Sequence, residues 1–195
     1  MRNRSSLVQV MVAALLAAAS MPVVKARLAR SGEPVAVAAA KPNSVSAQYV
    51  FGTDKLTRYQ FPTHLADLVV DRAQASCSEV FIVVIRPTHA SPRHRHDDME
   101  QIFYVLEGKG TVIIGDDKKE FPIKPGDVVR VPMMTYHSVR TEGNENLKYL
   151  CVDCLGSNLA KNEPTWDDHI KTYCRKAGLD FQKVVMPGRG GSSVK

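Results

Sequence analysis

The feature that most limits what this chain can fold into is a series of short β-rich segments from about Tyr49 to Leu155, each closed by turn residues. Val80–Ile85 is a run of β-branched and aromatic residues long enough for one buried strand. The polar loop Pro87–Asp98 separates it from a second strand at Gln101–Leu106, which ends at Glu107-Gly-Lys-Gly110. Thr111–Ile114 and Glu120–Ile123 flank a Gly115-Asp-Asp-Lys-Lys119 turn, the signature of a hairpin. Pro125-Gly126-Asp127 is another tight turn before Val128–Val131, and His137–Arg140 and Leu147–Leu155 complete the series. Short strands at such regular spacing predict an all-β sandwich or barrel and not a parallel βαβ sheet.

Helical periodicity enters only afterwards. Thr165-Trp-Asp-Asp168 has the form of a capping box with Asp in place of the usual Glu. Ile170, Tyr173, Cys174 and Ala177 follow at helical spacing, and Gly178 stands where a helix stops. A short amphipathic helix anchored by Trp166 and Tyr173 is expected there, then a flexible end from Gly188 to Lys195.

The N-terminal end has a different character. Arg2 and Arg4 precede an apolar run, Leu7–Val24, broken only by Gln9, Ser20 and Pro22, and small residues follow. This is the pattern of a signal peptide over residues 1–26 and implies export to the periplasm or the extracellular space; an organelle-targeting peptide or a membrane anchor shares some of its features. Beyond it, residues 27–48 have the composition of a flexible linker. No stable membrane insertion is expected of the rest. The formal charge of +6 also belongs to this end: residues 1–50 carry six basic residues and one acid, whereas residues 51–195 carry twenty and nineteen. Nucleic-acid binding needs Lys and Arg clustered on the working domain, so no nucleic-acid partner is expected.

His94 and His96 are two residues apart, so in extended chain both side chains leave the same face. His137 follows after two hairpins' worth of strand, and in a barrel it can converge on that face. Convergent imidazoles suit a divalent transition metal (Fe, Zn, Ni, Mn, Cu or Co), though an H-x-H pair alone equally fits a solvated surface loop.

The surroundings of these histidines add to the signal. His94-Arg-His96, four residues, Gln101, six residues and Gly108 resembles the first sequence motif of the cupin family. Gly126, five residues, Pro132, four residues and His137 resembles the second, and the likeness covers about residues 78–155. The resemblance implies a single jelly-roll β-barrel over residues 49–158, with the helix and tail in 159–195. It also implies one divalent metal held by His94, His96, His137 and a fourth residue. The spacing to Gly108 selects Gln101 as that fourth ligand, where most family members have Glu; the family's shorter spacer would select Glu100, and one residue of register decides between them. Two further departures are Met134, where the family usually has Gly, and Thr141, where it usually has Asn.

Three imidazoles and an amide oxygen would leave the full dipositive charge on the metal, which favours a small carboxylate or enolate as the molecule bound there. Among the other candidates, Tyr136 is a hydrogen-bond donor next to His137, and one of Phe103 and Tyr104 lines the cavity. Surface roles are expected for His64, His89 and His169, which have no partners at ligand spacing. The even cysteine count (Cys77, Cys151, Cys154 and Cys174) suits disulfides in an exported protein. Cys151 and Cys154 themselves fall on opposite faces of one strand and cannot pair together.

The resemblance implies a metal-dependent enzyme of oxygenase, lyase or isomerase type, dioxygenase-like chemistry included, acting on a small polar or anionic substrate. The alternative is a binding or sensing protein without turnover. No catalytic residue beyond the ligands is singled out, and a homodimer is expected because exposed sheet edges need cover.

Overall fold

The computed structural model describes residues 48–156 and 162–191. The signal-peptide segment 1–26 and nearly all of the linker segment 27–48 lie outside the described residues. The described residues form ten strands, two α-helices and a 3-10 turn at Arg72–Gln74: β1 Leu56–Gln60, β2 Leu65–Val70, β3 Ser78–Ile85, β4 Met99–Glu107, β5 Lys109–Ile114, β6 Lys119–Ile123, β7 Val128–Val131, β8 His137–Glu142, β9 Leu147–Leu155, α1 Trp166–Ala177, α2 Phe181–Val184 and β10 Val185–Gly190. All strand pairs are antiparallel. They form a seven-stranded sheet in the order β10-β1-β2-β3-β9-β4-β7 and a three-stranded sheet in the order β6-β5-β8. This is the jelly-roll arrangement expected from the sequence.

The central strand β3 lies between β2 and β9 and is buried on both faces, which is why its sequence is a continuous apolar run and not an alternation. Phe81, Val83 and Ile85 join the main core, while Ile82 and Val84 pack with Leu56 and Leu65 on the other side. The main core is shared between the sheets, with Val112, Ile123 and Val139 from the smaller one packed in the same cluster as Phe103, Tyr149 and Cys151 from the larger. The link from β4 to β5 passes through Gly108 at φ +74°, where an added Cβ would lie 2.1 Å from the Asn146 carbonyl oxygen. Only glycine fits both the backbone angle and the close approach.

Helix α1 begins and ends where its cap residues place it. The Thr165 hydroxyl accepts from the Asp168 amide at 3.2 Å, and Gly178 closes the helix in the left-handed region at φ 67°. Its buried stripe, Trp166, Ile170 and Cys174, packs on the open end of the sheets. Trp166 meets Phe81 with ring centroids 4.6 Å apart, and Tyr173 meets Phe61 edge-on at 5.3 Å. The end of the chain departs from expectation. Gly188–Gly190, read from composition as the start of a flexible tail, instead completes β10, which pairs with β1. Local composition is turn-like here, but β1 has a free edge and pairing satisfies its backbone groups.

Candidate metal centre

The loop before β4 is held along β8 by main-chain bonds. His94 and His137 form an isolated antiparallel bridge, exchanging amide-to-carbonyl bonds of 3.0 and 2.8 Å, and the Met134 amide donates to the His96 carbonyl at 2.7 Å. In this extended segment the side chains alternate. Arg93 and Arg95 lie over the Tyr136 ring, 4.3 and 5.2 Å from its centroid, and His94 and His96 turn to the other side. Tyr136 is therefore committed to the arginines and does not line the cavity described next.

His94, His96 and His137 converge, with one ring nitrogen of each within 4.8 Å of the others. The Nδ1–H of His94 donates to the Pro92 carbonyl at 2.8 Å, and that of His137 donates to the Thr135 carbonyl at 3.2 Å. Those bonds set the tautomer and leave Nε2 of both rings with a free lone pair. Nε2 of His96 is buried and has no hydrogen-bond partner. Burial, reinforced by the charge of His94, pushes His137 down to about 4 and His96 to about 2; burial also lowers His94. The three rings are thus neutral, the form that binds metal. A buried unpartnered nitrogen among three convergent neutral imidazoles fits a divalent cation.

Strand β4 settles which of two neighbours faces the histidines. Met99, Gln101, Phe103 and Val105 are buried, whereas Glu100 and Tyr104 point outward. Glu100 pairs on the outer face with Arg130, O to N 2.5 Å. Gln101 is buried beside His96 and donates through Nε2 to Oδ1 of Asp153 at 2.8 Å. Of the aromatic neighbours Phe103 is the one that lines the cavity.

The cavity holds about 140 Å³ and is walled by both sheets and α1. Five of the chain's six histidines line it: His64, His94, His96, His137 and His169. His64 and His169 are thus not surface residues, contrary to the reading of the sequence. His64 stacks on Phe61 at 4.7 Å, and burial lowers it to about 4. His169 comes from α1, and its position three residues after Trp166, on the same helical face, was the signal available for it. His89 alone remains exposed, bonded to the Pro87 carbonyl.

A buried polar chain backs the site. Asp153 pairs with Glu79 across β9 and β3, and Glu79 takes a two-pronged ion pair from Arg72 at 2.5 and 2.8 Å. Burial and then Glu79 hold the Asp153 carboxyl well above the usual carboxylate range. Arg72 also donates to the Glu163 carbonyl at 3.2 Å, and Glu163 meets His169 Nδ1 at 2.6 Å. Gln101 and His169, at opposite ends of this chain, both reach the cavity. All four cysteines are free thiols, with Cys151 in the cavity wall.

A jelly roll carrying three inward histidines at this spacing forms a candidate metal site. In the comparisons, residues 81–153 match the Cupin domain family. An oxalate-binding protein of Thermotoga maritima is 37% identical over 62 residues, covering 32% of this chain and 50% of that protein. Auxin-binding protein 1 of Arabidopsis thaliana is 30% identical over 81 residues, 38% of this chain and 40% of its own. The chain thus spans about half or less of the length of these relatives. A crystal structure of a predicted oxalate decarboxylase from Thermotoga maritima superposes with a TM-score of 0.50 at 22% identity, covering 55% of this chain and 99% of that one. The family match covers the segment from β3 to β9, and the superposition shows a shared fold.

Proposed function

We propose that this chain is a metal-dependent cupin enzyme that holds one divalent transition metal through His94, His96 and His137, with the Gln101 carbonyl oxygen as fourth ligand, and acts on a small anionic substrate. The observation that carries this reading is the orphaned His96 Nε2 among rings whose other nitrogens are tied to backbone carbonyls. Asp153 takes the Gln101 amide N–H and so leaves Oε1 as the amide's free acceptor. A divalent metal there would supply Lewis acidity to a chelated carboxylate or enolate. The chain's own residues do the rest. Phe81, Phe103 and Trp166 exclude water, and Asp153 holds Gln101 in position.

A binding protein without turnover is the second reading, favoured by the names of the oxalate-binding and auxin-binding relatives. Metal analysis of untagged protein, followed by oxygen-uptake and carbon-dioxide-release assays on small carboxylates including oxalate, separates the two. Stoichiometric metal with turnover supports the enzyme; metal and ligand without turnover support the binding protein; no metal overturns both.

Two further expectations stand as proposals. Export rests on the residues of the leader, and sequencing the N-terminus of the secreted protein tests it. No helix among the described residues is long and apolar enough to cross a membrane. Dimerisation is supported by the exposed apolar side chains Tyr104, Phe121 and Val128 at the β4–β7 and β6 edges, and sedimentation tests it.

A further inference from the structure

Among the described residues, two buried side-chain polar atoms lack a hydrogen-bond partner, His96 Nε2 and Trp166 Nε1, and both belong to side chains lining the same cavity. Such orphans are rare in native proteins and point to a missing ligand. A metal accounts for the histidine but not for the tryptophan, because an indole N–H only donates. Trp166 requires an acceptor atom. His169 stands beside it on α1, ring centroids 5.5 Å apart, and also lines the cavity. In the protonated, ion-paired form its Nδ1–H is committed to Glu163 at 2.6 Å, and Glu163 is anchored by Arg72, so Nε2–H is then the atom left to donate to a ligand oxygen.

We propose that Trp166 and His169 form a second pole of the cavity, which binds the distal carboxylate of a short dicarboxylate whose other end sits on the histidine cluster. The proposal rests on the metal reading above and adds the substrate class to it. Size agrees: a cavity of about 140 Å³ is close to the ~150 Å³ that accommodates a benzene-sized molecule. Charge agrees as well. Three imidazoles and an amide leave a dipositive metal uncompensated, and a dianion neutralises it where a monoanion does not. Both pole residues lie outside the matched segment 81–153, so this pole is supplied by the chain's own C-terminal helix.

The test uses the full metal-loaded chain, titrated calorimetrically with malonate and succinate against acetate and propionate. Trp166 is the single tryptophan, so its emission reports from the cavity in parallel. At least one dicarboxylate should bind about tenfold or more tightly than either monocarboxylate and shift that emission. Trp166→Phe and His169→Gln, followed by calorimetry, should each weaken the dicarboxylate about tenfold while leaving metal stoichiometry and monocarboxylate affinity unchanged. If Trp166→Phe does not fold, His169→Gln and the wild-type emission decide the matter. Equal affinity for mono- and dicarboxylates, or undiminished dicarboxylate binding by the variants, overturns the proposal. If the wild-type chain takes up no metal, the histidine reading fails by itself. The second pole then stands if malonate or succinate still shifts the Trp166 emission and His169→Gln abolishes the shift, and it falls if no shift is seen.

Discussion

Gln101 and Asp153 face each other across β4 and β9, and the glutamine amide donates through Nε2 to the carboxyl Oδ1 at 2.8 Å. Both side chains are buried, and Asp153 is the partner that orients the amide. Gln101→Glu should tighten divalent metal about tenfold or more, because it adds a negative charge at the fourth-ligand position. Asp153→Leu should weaken metal about 10–100-fold by releasing Gln101. Glu100→Gln should be silent, its carboxylate being paired with Arg130 on the outer face. Competition against a chromophoric chelator measures all three, and metal loss from Glu100→Gln would show that the fourth ligand is misassigned.

The metal-free protein should lose stability in mild acid. Burial lowers His64 and His137 to about 4, from about 6.5 in the unfolded chain. Between those values the unfolded state binds more protons, so stability is complete above about pH 6.5 and falls as pH drops toward 4. His137 alone accounts for on the order of 3 kcal/mol across that window. Thermal midpoints recorded against pH should decline through it, and His64→Gln should flatten part of the slope. A level profile from pH 6.5 to 4 would contradict the buried neutral histidines.

Met134 sits at φ 59°, in the left-handed region, with its side chain 55% exposed. The family resemblance places glycine there, and glycine adopts this angle without steric penalty. Met134→Gly should therefore raise stability by about 0.5–1 kcal/mol, the relief of strain being partly offset by greater freedom of the unfolded chain. Urea titration decides it, and destabilisation would mean that the methionine makes contacts of its own.

Arg72→Leu should cost about 3–5 kcal/mol, because it leaves the Glu79 carboxylate buried without its cation. Arg72→Lys should recover only part of this, since an ammonium cannot reproduce the two-pronged bond. Equilibrium unfolding measures both. Wild-type stability in Arg72→Leu would remove the buried chain as the tie between α1 and the sheet.

Much of this protein is written locally in its sequence. Apolar, β-branched runs and turn residues mark the strands from β3 to β9, Thr165 and Gly178 bound the helix, and the spacing of His94, His96 and His137 announces a shared face. These are short-range properties of strand pleat, turn angle and helix cap, and neighbouring residues suffice to determine them. Tertiary structure decided the remainder. The register of β4 against β9 turned Gln101 inward and Glu100 outward, a choice that a shift of one residue would reverse. Docking of α1 brought Trp166 and His169 to the cavity, and the free edge of β1 drew Gly188–Gly190 into a strand. Those outcomes depend on contacts between residues up to 134 positions apart, for which local pattern carries no information.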